Sequence, residues 1–157
     1  MELLIVLTIL AALTAVLIPL FLNILSKSRA TQVAENIIQI RNCLIDKIVL
    51  DGKIENNTVL TDLFRDVNND YYVYYYTENG VFHGYIQYEK KDFNLEKLKE
   101  LLPEAGYPEK TIDLAGKNAK EMKKNSVHTV AGKIFGLNDI YHSEFVKLLY
   151  SFKVNLY

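Results

Sequence analysis

The chain has 157 residues and a formal net charge of −1, enough for one domain or for one domain with an appendage. That balance gives no bulk electrostatic reason to expect nucleic acid or anionic lipid as a partner. The single cysteine, Cys43, excludes an internal disulfide and a cysteine-based zinc site, and its place in a helical apolar pattern points to packing rather than reactivity.

Half of the residues are hydrophobic, and they crowd toward the N-terminus. No charge falls between Glu2 and Lys27, and the only polar interruptions in Leu3 to Leu25 are Thr8, Thr14 and Asn23. A helix of about 20 apolar residues crosses a bilayer core of about 30 Å, so Leu3 to Leu25 is expected to be a retained transmembrane helix. A cleaved signal peptide has an apolar core of only about 7 to 15 residues, with basic residues before it and a small-residue site after it. Here the run is longer, no base precedes it and no A-x-A site ends it. Pro19 has no N–H for the carbonyl of Ala15, and its ring crowds that carbonyl. A kink or loosening at Ala15 to Pro19 is expected, with the freed carbonyl taking another partner such as a threonine hydroxyl.

Glu2 is the anomaly. A charge at the centre of a span costs about 2.5 to 3.5 kcal/mol. At the extreme end it reaches the interface, where the helix N-terminal dipole favours an anion. From the residues alone, Glu2 is either an ordinary interfacial acid or a charge that waits for a cation inside an assembly. Lys27 and Arg29 flank only the C-terminal end of the span, and taken alone they would put that end in the cytoplasm.

After Ser26 the pattern turns amphipathic with no break. Val33, Ile37, Ile40, Leu44 and Ile48 form one helical stripe, while Gln32, Glu35, Gln39, Arg41, Asn42 and Asp46 occupy other faces. Asp51-Gly52 ends the pattern, with Gly52 a natural cap residue. A helix from Glu2 to Leu50 would be about 70 to 75 Å long. Its first half needs lipid or protein all round; its second half needs one surface to lie on.

The stretch "ELLIVLTILAALTAVLIP" and its continuation "PLFLNILSKSRATQVAENIIQIRNCL" resemble the N-terminal segment of type IV pilins and type II secretion pseudopilins. The resemblance covers about the first third of the chain. It rests on Glu2, on the "ELLIV" that starts with it, on "ILAA", and on Pro19, which stands in the family's register to the glutamate. In the family, a leader ends in Gly and peptidase cleavage exposes a methylated Phe, usually followed by Thr and two apolar residues before the glutamate. Met1 would occupy the last of those positions, so the chain is expected either to start upstream of Met1 or to lack its leader. Ala11 stands where many members carry Gly, and "ILAA" is shifted toward the glutamate, which leaves Pro19 as the only source of local loosening.

The resemblance implies an α+β, pilin-like fold. A long N-terminal helix, membrane-spanning and then amphipathic, packs on a small antiparallel sheet with additional helices. Residues 1–25 would be the transmembrane and filament-core helix, 26–51 its amphipathic continuation and 52–157 a soluble head. It also implies a filament subunit in the bacterial inner membrane, single-pass, with an extracytoplasmic head, later part of an extracytoplasmic filament. Its partners would be other pilin or pseudopilin subunits, an inner-membrane assembly platform and membrane lipid. Glu2 and Pro19 would be the assembly residues, Glu2 neutralising the N-terminal amine of a neighbouring copy. The competing reading is a single-span anchor displaying a binding domain that does not polymerise.

In the head, "YYVYYYTENGVFHGYIQYE" reads as a hairpin around Asn79-Gly80. Phe82, Ile86 and Tyr88 fall on one face; His83, Tyr85 and Gln87 fall on the other. This hairpin is expected to lie on the Val33 to Ile48 stripe. The cluster Tyr71, Tyr72, Tyr74, Tyr75 and Tyr76 reads as core and amphipathic surface, with ligand stacking as the rival. Phe93 to Leu102 reads as a helix stopped by Pro103. "GYPEKTIDLAGKNAKEMKKN" reads as loop with a helical turn, and "SVHTVAGKIFG" as a strand. "DIYHSEFVKLLYSF" reads as a helix with Ile140, Phe145, Leu148, Leu149 and Phe152 apolar, which would mark a minor or divergent member among pilins that end in a sheet.

Asp66, Asn68 and Asp70 offer alternating oxygens, but Tyr71 and Thr77 stand where a calcium loop needs Gly and Glu. His83, His128 and His142 lack metal-ligand spacing. No arrangement of nucleophile, base and orienting residue is evident. Neither a metal, a cofactor nor catalysis is expected.

Overall fold

The computed structural model describes residues 2–65, 68–90, 93–103, 112–134 and 148–156. A single helix, α1 (Glu2–Asp51), runs unbroken for 50 residues, about 75 Å at 1.5 Å per residue. It ends as its sequence dictates. Gly52 takes φ 71°, a conformation that costs a glycine nothing, and its N–H donates to the Ile48 carbonyl at 2.8 Å. There follow a single turn α2 (Leu60–Leu63), the hairpin β1 (Tyr71–Glu78) and β2 (Val81–Tyr88), and α3 (Leu95–Leu101). The remaining strands are β3 (Ile112–Asp113), β4 (Ala119–Met122), β5 (Val127–Val130), β6 (Lys133–Ile134) and β7 (Leu148–Asn155). The fold is α+β: a long N-terminal helix, short helices and, among the described residues, a five-stranded antiparallel sheet in the order β5-β4-β1-β2-β7 with a separate β3-β6 pair.

The hairpin turns on Asn79 and Gly80, both at positive φ (51° and 76°), the conformation that a two-residue turn needs to match the strand twist. Its register sets Tyr71 opposite Tyr88 and Glu78 opposite Val81. Parity then sorts the aromatics. Tyr71, Val73 and Tyr75 of β1, with Phe82, Ile86 and Tyr88 of β2, pack on α1 through Val33, Ile37, Ile40, Leu44 and Ile48, joined by Ala30 and Ala34. Tyr74, Tyr76 and Tyr85 face the other way and are covered by Leu114, Ala119 and Ile134. Tyr71, Tyr74, Tyr75 and Tyr76 are all buried, so this cluster is core on both faces of one sheet rather than a stacking platform.

Three expectations are corrected. Leu148, Leu149 and Phe152 lie in strand β7, not in a helix; Ile140 and Phe145 lie outside the described residues. The segment read as loop with a helical turn contributes β3 and β4. "SVHTVAGKIFG" gives two strands in different sheets, β5 beside β4 and β6 beside β3. Phe93 to Leu102 is helical as expected, over Leu95–Leu101. Asn94 caps it by accepting from the Lys97 N–H at 2.8 Å.

Gly84 stands opposite Phe152 across β2 and β7, and a Cβ added at Gly84 would overlap the Phe152 ring. Gly84→Ala should therefore cost about 1 to 3 kcal/mol, the usual price of overpacking. In a Phe152→Ala background the same change should cost nothing. Denaturant unfolding of the four chains of this cycle checks it; additive effects would contradict the contact.

Candidate functional site

The two halves of α1 have opposite surroundings. Every large apolar side chain from Leu3 to Ile24 is 53–75% exposed; Leu25 falls to 37% and Ala30 to 0%. Residues 2–25 touch no other element closely enough to be buried, and the helix is long and apolar enough to cross a membrane. The change of regime has a structural marker. The N–H of Asn94, the cap of α3, donates to the Ser26 carbonyl at 3.1 Å, so the head begins to cover α1 one residue beyond Leu25.

From there the head grips the helix with apolar and polar contacts together. α3 lies on α1 with Leu98 buried and Leu95 and Leu101 against the same core. Asn36 Nδ2 donates to the Tyr71 hydroxyl at 3.1 Å, and Arg41 Nη1 donates to the Tyr150 hydroxyl at 3.0 Å. These two bonds tie the helix to β1 and to β7. Arg41, placed by periodicity on a non-core face, thus reaches over the sheet's edge strand. The pairing was not readable, because Tyr150 is more than a hundred positions away and sits in a segment that reads as helix.

Glu2 is exposed at the head of the apolar run and is its only charge. Pro19 lies inside α1 with no interruption of the helix. The two threonine hydroxyls nearby donate to their own turns, Thr8 to the Leu4 carbonyl and Thr14 to the Leu10 carbonyl at 2.7 Å. Neither serves the Ala15 carbonyl that Pro19 leaves without its usual donor. Leu3 to Leu25 form one uncharged and largely apolar cylinder; Glu2 stands at its head and Pro19 lies on it, seventeen residues further along.

Several other titratable groups are engaged within the fold. Asn68 Oδ1 accepts from the Asp70 N–H at 3.0 Å, and the Asp70 carboxylate pairs with Lys90 at 2.6 Å; Asp66 lies outside the described residues. The Tyr74 hydroxyl donates to Glu121 Oε1 at 2.9 Å, and burial beside that carboxylate pushes its pKa up. Burial, reinforced by Asp46, likewise raises the Cys43 thiol, so it is not primed as a nucleophile. His142 lies outside the described residues, and among those described no three His, Cys, Asp or Glu side chains form a metal-binding group. No family model matches the chain, and comparison with characterised proteins and with solved structures likewise finds no match.

Two outcomes follow. Leu13→Lys puts an ammonium in the middle of the apolar cylinder and should cost about 3 kcal/mol of insertion, more than a hundredfold in the insertion equilibrium constant. A membrane-insertion assay that reports this constant reads the change, and an unchanged constant would contradict a lipid-facing span. His83 stacks on Tyr76 at 4.6 Å with Nδ1 buried and unpartnered among the described residues. Burial, then Lys153, lowers its pKa below 6.5. The neutral ring's contribution is full above pH 6.5 and is lost as pH falls through the folded-state value. The stability advantage of the wild-type chain over His83→Gln should shrink across that range in thermal unfolding; a pH-independent difference would contradict it.

Proposed function

We propose that the chain is a structural subunit of a type IV pilus-like or type II secretion filament, a pilin or pseudopilin held in the inner membrane and polymerised through α1. The observation that carries this reading is the division of α1. An uncharged, exposed apolar half is headed by one carboxylate, and the other half is the spine of a folded head. An anchor needs the apolar half and tolerates an acid at its head, where the helix dipole favours an anion, but does not require one. A bundle of such helices does. A carboxylate moved into a desolvated bundle is costly unless a cation meets it, and the N-terminal amine of a neighbouring copy is a cation at the right depth.

In this reading the apolar cylinders of many copies form the filament core, and the heads decorate its outside. Pro19 loosens the helix where copies pack. The head lies extracytoplasmically, the role is mechanical, and no catalysis or cofactor is involved. Strand β7 at the end of the described chain supports the reading, since a late helix would have departed from the sheet in which many pilins end.

Glu2→Ala and Glu2→Val test it, expressed beside the wild-type chain. Both should insert into the membrane normally and fail to enter filaments, read by membrane fractionation and by recovery in sheared filament preparations. Unchanged incorporation would refute the assembly role of Glu2, and a non-polymerising anchored domain predicts no effect on either readout.

A further inference from the structure

The sheet continues where α1 stops. Ile48 is the last buried residue of the helix, and Gly52 turns the chain away. On the helix-side face of the sheet, Thr129, Lys120 and Tyr75 then stand in one row across β5, β4 and β1, followed by Thr77 opposite Phe82. Residues 52–56 pass beside this uncovered end, and together they enclose a groove of about 590 Å³, inside the range of about 300 to 1,000 Å³ typical of small-molecule sites.

The lining is chemically lopsided. Lys53 and Lys120 contribute two ammonium groups, and no carboxylate lines the groove. Neither lysine has a carboxylate partner among the described residues; Lys120 Nζ donates to the Thr129 hydroxyl at 2.8 Å. Of the acids nearby, Glu55 is exposed and outside the lining, Asp51 pairs with Lys47, and two more are engaged elsewhere. Glu78 pairs with Lys117 at 2.7 Å, and Glu121 points to the opposite face, toward Tyr74 and Lys123. Asn56 and Asn118 are also in the lining, and Ile48, Phe82 and Leu156 supply its apolar part. Tyr75, on the floor, keeps a buried hydroxyl with no partner among the described residues, an orphan that a bound acceptor or its water satisfies.

The geometry points to a binding site for a small amphiphilic carboxylate, its anionic group between Lys53 and Lys120 and its apolar body against Ile48, Phe82 and Leu156. Charge complementarity sets the sign of the ligand. Position sets its source: the groove lies about 33 Å along α1 from Ser26, out of reach of headgroups at the foot of the head, so the ligand is a solute.

Titration of the full-length chain in zwitterionic micelles with 3-phenylpropionate, read by amide chemical shifts, tests this. Saturable shifts should appear at Lys53, Asn118, Lys120 and Thr129. The uncharged 3-phenylpropionamide should bind at least about tenfold more weakly, the worth of one charge-assisted hydrogen bond. Lys53→Gln, at an exposed position, and Lys53→Gln with Lys120→Gln should each weaken the carboxylate and leave the amide unchanged, with unaltered thermal unfolding. The proposal is overturned by the absence of saturable shifts at these residues up to about 10 mM carboxylate, by equal binding of the amide, or by carboxylate binding that is indifferent to Lys53→Gln.

Discussion

The contact between the stripe Ala30 to Ile48 and the inner face of the sheet determines where everything else in the molecule can be. An α-helix satisfies its own backbone but not its side chains, and α1 has apolar side chains along its whole length. Over its second half the sheet removes one stripe from water, at about 1.5 to 3 kcal/mol for each fully buried Val, Leu or Ile. The burial of Ile37, Ile40, Leu44 and Ile48 is complete or nearly so. Over the first half no partner exists among the described residues, and the apolar surface runs right round the helix. The same covalent rod therefore needs two different surroundings, and the boundary between them falls at Leu25 and Ser26, where the α3 cap closes on the helix.

That contact also orders the head. A sheet pressed on a helix on one side must cover its other side, and the β3-β6 pair with Leu114 does so over Tyr74, Tyr76 and Tyr85. Because strand parity sends alternate tyrosines to opposite faces, a run of aromatic residues that would be a liability on a surface becomes two separate cores. The polar ends of these rings are met from both directions, Tyr71 by Asn36 and Tyr74 by Glu121. The groove past Ile48 has the same origin. It is the part of the inner face that the helix is too short to cover, and the side chains there, Lys120, Thr129 and Thr77, are polar where their counterparts under α1 are apolar.

Much of this was legible in the residues. The stripe from Val33 to Ile48 and the Asn79-Gly80 hairpin carry strong periodic signals, and both are realised, with Gly52 capping α1. The misreadings have physical causes. Leu148, Leu149 and Tyr150 are buried one after another because β7 is covered on both faces, and an apolar run without alternation fits a helix as well as a strand. Ala119 to Met122 is composed of good helix formers, Ala, Lys, Glu and Met; pairing with β1 and β5 overrides that preference. The groove left no local mark, since Lys53, Lys120 and Thr129 come together only through the register of three strands and the end of α1.

The organisation of the molecule turns on the change of surroundings at Ser26. Single nitroxide labels placed along α1 of the full chain in lipid nanodiscs measure it directly, by their accessibility to oxygen, which concentrates in lipid, and to a water-soluble nickel chelate. Labels between positions 5 and 24 should favour oxygen all round the helix. From about one turn beyond Ser26, labels on the stripe of Val33, Ile37 and Ile40 should be shielded from both, and labels on Glu35 and Gln39 should favour nickel. A span that admits the nickel chelate over its middle, or a stripe that is open to it at Ile37 and Ile40, would contradict the division of α1 on which the rest depends.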